Sequence, residues 1–154
     1  MNIWRWFNQA GPITRTHKVQ AEYRRRLDSS SDGECAFCLI TSKQPEGVVE
    51  AGELMLVIRN EYGYAVWDGC GVKEHLMVIP REHRATLAGF NEAELKEWQD
   101  LLSKYESLGY SLYTRSPDNP TKSVAHHHTH FIKLNKKRRS WLLYVRRPHI
   151  MVSR

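Results

Sequence analysis

The feature that most constrains the fold is a run of histidines inside a segment of β-type sequence. Residues 123–132 read Ser-Val-Ala-His-His-His-Thr-His-Phe-Ile. Alternate side chains of a strand share a face, so one face is expected to hold His126, His128 and His130. Imidazole is both a metal ligand and a nucleophile near neutral pH. Three imidazoles on one face therefore suit either a metal ion or phosphoryl chemistry.

A second cluster of potential ligands is the segment Cys35-Ala36-Phe37-Cys38. Two thiolates at this spacing can bind one zinc ion, and two nitrogen ligands would complete a closed, structural site. The alternative is a pair of buried free cysteines. A third cysteine, Cys70, is interpreted as an ordinary thiol. An odd number of cysteines argues against a disulfide framework and favours the reducing cytoplasm.

The hydrophobic pattern predicts an α+β domain. Short runs of branched and aromatic residues predict antiparallel strands at 54–58, 62–67, 75–79, 110–114, 123–134 and 141–145. Helices are predicted over 13–28 and 92–108. The second has Asn91 as its N-cap and Glu94 at the third helical position, which approximates a capping box. Its apolar stripe is assigned to the core and consists of Leu95, Trp98, Leu101, Leu102, Tyr105 and Leu108.

Charge is distributed unevenly along the 154 residues, whose net charge is +6. Residues 1–28 carry +4 and residues 133–154 carry +8, whereas the remainder carries −6. We predict a basic helical extension and linker over 1–33, a main domain over 34–134, and a basic tail over 135–154 that forms a strand or a dimer or partner contact. The basic arms would attract phosphate-rich partners, solubilise the chain or cover a neighbouring subunit. No apolar run approaches the roughly 20 residues of a membrane span, so no membrane association is expected.

Taken together, these residues resemble the histidine-triad (HIT) family of nucleotide hydrolases and transferases. The triad is preceded by Ser123-Val124, in the position of the family's S-V pair. Residues 75–83 read His-Leu-Met-Val-Ile-Pro-Arg-Glu-His, which is similar to the family's G-H-x-L-V-I-P-K-x-H segment. The C-x-F-C sequence is typical of the zinc-containing branch. The resemblance covers about two-thirds of the chain and implies an antiparallel sheet packed with one long α-helix.

The resemblance also implies catalytic roles. His128 matches the nucleophile that attacks the α-phosphate and forms a nucleotidyl-histidine intermediate. His130 matches the histidine that contacts the phosphate, and Ser123 matches a phosphate or leaving-group contact. A hydroxyl that bonds locally at a strand edge is the alternative for Ser123. In zinc-containing members, the ligands match Cys35, Cys38, His83 and His126.

Three further residues are candidates for substrate binding. Asp68 lies seven residues before His75, near the position of the family's ribose-binding acid. His75 is either functional or a packed strand histidine. Lys122 stands where the family has a polar amide beside the leaving group, and suggests tolerance for a more anionic leaving group. The sequence also departs from the family at His127 and Thr129, where hydrophobic residues are usual.

The expected function is that of a nucleotide hydrolase or nucleotidyltransferase. Its substrate would be a dinucleoside polyphosphate, a phosphoramidate or a nucleotidylated adduct, and its scheme requires only structural Zn²⁺, with Mg²⁺ accompanying a polyphosphate. The family resemblance implies a homodimer. One alternative is an enzyme acting on adenylated or capped nucleic-acid ends, bound through the basic arms. Another is a non-catalytic, zinc-stabilised nucleotide-binding module.

Overall fold

The computed structural model describes residues 14–29, 35–43, 46–138, 142–146 and 149–153. Its central strands are β1 (Val48–Ala51), β2 (Met55–Arg59), β3 (Val66–Trp67), β4 (Cys70–Pro80), β5 (Ser111–Thr114) and β6 (Thr129–Arg138). They form an antiparallel sheet in the order β1-β2-β4-β6-β5, with the short β3 paired to β4. The predicted α+β class and antiparallel sheet are confirmed.

Three α-helices accompany this sheet within the described residues. They are α1 (His17–Ser29), α2 (Ala36–Lys43) and α3 (Glu92–Ser107). A separate hairpin is formed by β7 (Leu142–Arg146) and β8 (His149–Ser153). None of the helices in the described ranges has the length and apolar character needed to cross a bilayer.

Side chains alternate along each strand, so the buried apolar residues of the sheet are divided between its two faces. A different helix covers each face. On one face, Leu76 and Val78 of β4 join Phe131 of β6 in a cluster that includes Leu101 and Tyr105 of α3. On the opposite face, the smaller apolar cluster includes Phe37 of α2, with Leu56, Ile58, Met77 and Ile79. The face that bears α2 is also the face that bears the candidate site.

The start of α3 is fixed by a buried carboxylate. Asn91 Oδ1 accepts from the Glu94 backbone N–H, and Glu94 Oε2 accepts from the Asn91 N–H, which completes the predicted capping box. The other oxygen of Glu94, which is only 1% exposed, accepts from Arg84 Nε at 3.1 Å. The Arg84 carbonyl in turn accepts from the backbone N–H of His127. The helix start is therefore linked to the histidine segment.

Several local predictions differ from the structure. The strand predicted over 62–67 is confined to Val66–Trp67, and the one predicted over 123–134 begins only at Thr129. Helix α2 was not predicted. Leu95 and Leu108, assigned to the core, are 40% and 51% exposed. Residues 1–13 and 30–34 lie outside the described residues, so the domain boundary near residue 34 stays a prediction.

We expect Glu94→Ala to lower the free energy of unfolding by about 2–4 kcal/mol, because it removes the cap and leaves Arg84 without its carboxylate. Urea denaturation followed by tryptophan fluorescence measures the change. Glu92→Ala is the matched control, since it removes an exposed acid from the same first turn. A loss as small as that of the control would contradict the structural role given to Glu94.

Candidate active site

A cavity of about 430 Å³ opens on the α2 face of the sheet. Both His128 and His130 line it. Part of its wall is apolar and is formed by Leu27, Phe37, Ile40, Ile58, Met77 and Val124. Part is polar and includes Arg15, Tyr23, Asn60, Arg115 and Ser123. Such a mixture suits a small ligand with an apolar portion and a polar or anionic portion.

His128 is oriented by its own backbone. Its Nδ1 lies 2.9 Å from the carbonyl oxygen of His126, which can only accept, so Nδ1 carries the proton. The Nε2 nitrogen then holds the free lone pair. Burial lowers the pKa of His128, and the nearby cations Lys122 and Arg115 lower it further. At neutral pH the side chain is a neutral imidazole with one nitrogen available as a nucleophile.

A chain of hydrogen bonds fixes the tautomer of His130. The backbone N–H of Tyr64 donates to His75 Nδ1 at 2.9 Å, so the proton of His75 is on Nε2. That Nε2–H donates to His130 Nδ1, also at 2.9 Å. The proton of His130 must therefore be on its own Nε2, a buried atom with no partner among the described residues. It is a preorganised donor at the cavity.

His75 acts behind the cavity wall. It lies on β4 and is 5% exposed. Burial lowers its pKa to about 3, with further lowering from Arg15 and Arg115, so it stays neutral and keeps its tautomer. Burial likewise lowers the pKa of His130 well below its ordinary value. The structure thus gives His75 both a packed position and a direct contact with the triad.

Four side chains form a possible metal-binding group beside the cavity: Cys35, Cys38, His83 and His126. Their ligand atoms all lie within 4.8 Å of one another. His126 Nε2 donates to the Pro80 carbonyl at 3.0 Å, which leaves its Nδ1 lone pair directed at the cysteines. Burial lowers the pKa of His126 to about 4, so the ring is neutral, as a ligand must be.

The spacing of these atoms fits a tetrahedral ion. With Zn–S near 2.3 Å and Zn–N near 2.0–2.1 Å, sulfur and nitrogen ligands of one zinc ion lie about 3.5 Å apart. The observed sulfur–nitrogen distances are 3.5 Å for Cys35–His126, 3.6 Å for Cys38–His126 and 3.3 Å for Cys38–His83. Four protein ligands complete the coordination shell, so an ion held here would stabilise the fold without an open position for catalysis.

Ser123 lies at the cavity and is contacted by the N-terminal helix. Its Oγ shares a short hydrogen bond with the hydroxyl of Tyr23 on α1, and this partner is distant in sequence. Helix α1 also lies near the loop after β2, through Arg26 and Glu61, whose charged atoms are 3.8 Å apart. The segment predicted to be an extension thus helps to form the cavity wall.

The other two predicted substrate-binding residues, Asp68 and Lys122, are not among the residues that line this cavity. Asp68 is in the tight turn between β3 and β4, where its φ is +48°. Lys122 Nζ donates to the Ala85 carbonyl at 3.3 Å. Both positions stay predictions as binding residues. The polar groups that line the cavity include the amide of Asn60 and the guanidinium groups of Arg15 and Arg115.

No protein-family model matches the sequence, and no curated protein matches it. Solved structures do match. A HIT family hydrolase from Clostridium thermocellum is 24% identical, with a TM-score of 0.53 over 68% of this chain and 93% of that one. A HIT family hydrolase from Legionella pneumophila is 24% identical, with a TM-score of 0.51 over 70% and 97%.

A third match is a hypothetical histidine triad nucleotide-binding protein from Sulfolobus tokodaii. It is 26% identical, with a TM-score of 0.53 over 67% of this chain and 70% of that one. The chain has the histidine-triad fold. The resemblance read from the sequence is confirmed, and the clustering of Cys35, Cys38, His83 and His126 is consistent with the C-x-x-C branch of the histidine-triad family.

Sequence analysis missed several polar residues that line the cavity of this histidine-triad fold, among them Asn60, Arg15 and Arg115. Asn60 follows β2 directly, and a polar residue at the end of a buried apolar run is a signal that could have drawn attention to it. Arg15 and Arg115 lie outside every motif quoted above. Only the tertiary structure brings them to the histidines.

We expect Cys38→Ser to remove a bound metal ion and to lower the free energy of unfolding by at least about 3 kcal/mol, because metal binding at a closed site contributes directly to folding. Metal content by plasma mass spectrometry and stability by denaturation are the measurements. Cys70→Ser changes a thiol outside the group and should retain the wild-type metal content. Equal metal content in both variants would exclude this site.

Buried neutral histidines also predict a strong pH dependence of stability. Burial lowers the pKa of His127 to about 4 in the folded chain, whereas its pKa in the unfolded chain is about 6.5. Between these two pH values, His127 is protonated in the unfolded chain and neutral in the folded chain. The stabilisation is present above pH 6.5 and is lost as the pH falls towards 4. In a series of denaturations from pH 7.5 to 4.5, His127→Gln should reduce the slope of stability against pH by up to about one proton. An unchanged slope would contradict the assignment.

Proposed function

We propose that this protein is a nucleotide hydrolase or nucleotidyltransferase that acts at the α-phosphate of a nucleoside phosphate conjugate. The observation that supports it most directly is the arrangement of His128. Its Nδ1–H is bound by the His126 carbonyl, its pKa is lowered, and its ring lies at a cavity beside a second histidine. A neutral imidazole held in this way is an activated nucleophile.

In the proposed reaction, the Nε2 lone pair of His128 forms a bond to the α-phosphorus. The bond from phosphorus to the leaving group breaks, and its electron pair departs with the leaving group, which takes up a proton. A water molecule then attacks the same phosphorus, loses a proton, and displaces Nε2. The products are a nucleoside monophosphate and the free imidazole, and an acceptor hydroxyl in place of water gives transfer instead of hydrolysis.

His130 and Ser123 would stabilise charge during both steps. The Nε2–H of His130 is fixed as a donor by the chain from Tyr64 through His75. Such a donor stabilises a phosphoryl oxygen without first having to reorganise. Ser123 is available once its hydroxyl exchanges Tyr23 for the substrate.

We propose Zn²⁺ as the ion held by Cys35, Cys38, His83 and His126, because two thiolates and two imidazoles in tetrahedral spacing are the donor set that zinc prefers. It would stabilise the segment that precedes His128. Mg²⁺ would accompany a polyphosphate substrate. We also propose that the protein is a homodimer. Its three free cysteines favour a location in the reducing cytoplasm.

A second candidate is an activity on adenylated or capped nucleic-acid ends. The observation in its favour is the charge of the chain, whose residues 133–154 carry +8. A cationic tail attracts the phosphate backbone of nucleic acids. A non-catalytic nucleotide-binding module is the remaining candidate.

The test is intact-mass analysis after brief incubation with diadenosine tetraphosphate, an adenosine phosphoramidate and an adenylated oligonucleotide, each with a guanosine counterpart. We expect a nucleotidyl adduct on the wild-type chain and none on His128→Ala, because this variant removes the oriented Nε2 lone pair that attacks phosphorus. The donor that reacts fastest identifies the base and the leaving group.

His127→Gln is the matched control, since it changes the adjacent histidine, which packs against Phe90 and Trp98 on the other side of the segment. It should retain the adduct. Rapid-quench sampling detects an adduct that hydrolyses quickly. If neither an adduct nor turnover is found with any donor, the enzymatic proposal is wrong and the binding module remains.

A further inference from the structure

Two guanidinium groups share the cavity with the proposed nucleophile. Arg15 precedes α1 and Arg115 follows β5, and both line the cavity together with His128 and His130. Both also lower the pKa of His130 through their charge, which places them within electrostatic reach of that ring. The two cations therefore act on the same site, although 100 positions of sequence separate Arg15 from Arg115.

Both guanidiniums are held by neutral groups. Arg15 Nε donates to the Tyr62 carbonyl at 2.7 Å, and its guanidinium carbon lies 4.3 Å from the centre of the Tyr23 ring. Arg115 donates to the Tyr64 hydroxyl at 3.0 Å and to the Thr121 carbonyl at 3.3 Å. These contacts fix the orientation of the two groups without neutralising their charge.

The other arginines of the cavity wall are different, because each lies near a carboxylate. Arg59 is 3.5 Å from Glu74, and Arg26 is 3.8 Å from Glu61. In the described part of the chain, neither Arg15 nor Arg115 has an ion pair. Arg115 Nε is moreover buried and has no hydrogen-bond partner there. Two like charges in a half-buried site are unfavourable unless an anion lies between or beside them.

We propose that Arg15 and Arg115 form a second anion subsite, which holds a phosphate of the substrate other than the one attacked by His128. This inference rests on the proposed function and narrows its substrate class. Guanidinium groups bind phosphate oxygens through paired, charge-assisted hydrogen bonds. The substrate is accordingly a phosphoanhydride, whose leaving group carries phosphate, and not a phosphoramidate with an uncharged amine as leaving group.

The division of the cavity wall agrees with this assignment. Phe37, Ile40 and Ile58 offer apolar surface for a nucleobase. The two arginines offer charge, and the histidines share the same cavity. The leaving group could be the polyphosphate of a small dinucleotide or the phosphorylated end of an adenylated oligonucleotide. Both present the same chemistry to the guanidinium pair.

The first test is binding, which needs no turnover. Inorganic tripolyphosphate is titrated into the wild-type protein, the double variant Arg15→Gln/Arg115→Gln, and Arg25→Gln, with calorimetry as the readout. Arg25 is exposed on α1 and does not line the cavity. We expect the double variant to bind tripolyphosphate at least about 10-fold more weakly than the wild type. The control should bind within about 2-fold of the wild type, because salt screens the charge of an exposed arginine outside the cavity. Equal affinity of all three proteins, or equal weakening of both variants, would overturn the subsite.

The second test is specificity. The value of kcat/KM is compared for diadenosine tetraphosphate, an adenylated oligonucleotide and an adenosine phosphoramidate. Arg115→Gln should lower kcat/KM roughly 10- to 100-fold more for the phosphoanhydride that is the substrate than for the phosphoramidate. An equal loss on the phosphoramidate would mean that Arg115 only positions the site, and would overturn the inference. Absence of any adduct in the wild type would count against the proposed function alone, because the binding test decides the subsite independently.

Discussion

The pairing of β4 with β6 is the interaction on which the rest of the site depends. Its register sets Met77 opposite His130 and His75 opposite Ile132, so the two histidines are diagonal neighbours on one face of the sheet. The end of β4 supplies the Pro80 carbonyl that orients His126. A shift of one residue would move every side chain of either strand to the other face, and the hydrogen-bond chain and the metal-binding group would be lost together.

The sequence predicted the alternation of the histidines better than it predicted their secondary structure. His126 joins the cysteines and His128 lines the cavity, while His127 packs on the α3 side, as alternation requires. Yet this part of the segment belongs to no strand, because the His127 N–H bonds to the Arg84 carbonyl instead of to a neighbouring strand. Periodicity reports which way side chains point in an extended chain. It does not report whether the backbone finds a partner.

The parts that could not be predicted are those that depend on contacts between distant segments. Helix α2 has only eight residues, and the C-x-x-C pattern that overlaps its first turn draws attention to metal binding instead of to helix formation. Arg15 reaches the cavity because the Thr14 carbonyl accepts hydrogen bonds from the N–H groups of Ala65 and Val66. No feature of the sequence around Thr14 predicts that contact. The motif-based expectation for Asp68 likewise could not foresee that it would lie in the β3–β4 turn.

The distribution of charge gives the histidines and the arginines separate tasks. Burial lowers the pKa values of His75, His128 and His130, so none of these rings contributes a positive charge at neutral pH. A protonated His128 would have no lone pair for phosphorus, and a protonated His75 would no longer accept from Tyr64. The cationic attraction that an anionic substrate needs therefore has to come from groups that cannot lose their protons. Guanidinium meets that requirement, and it also keeps the neighbouring imidazoles neutral.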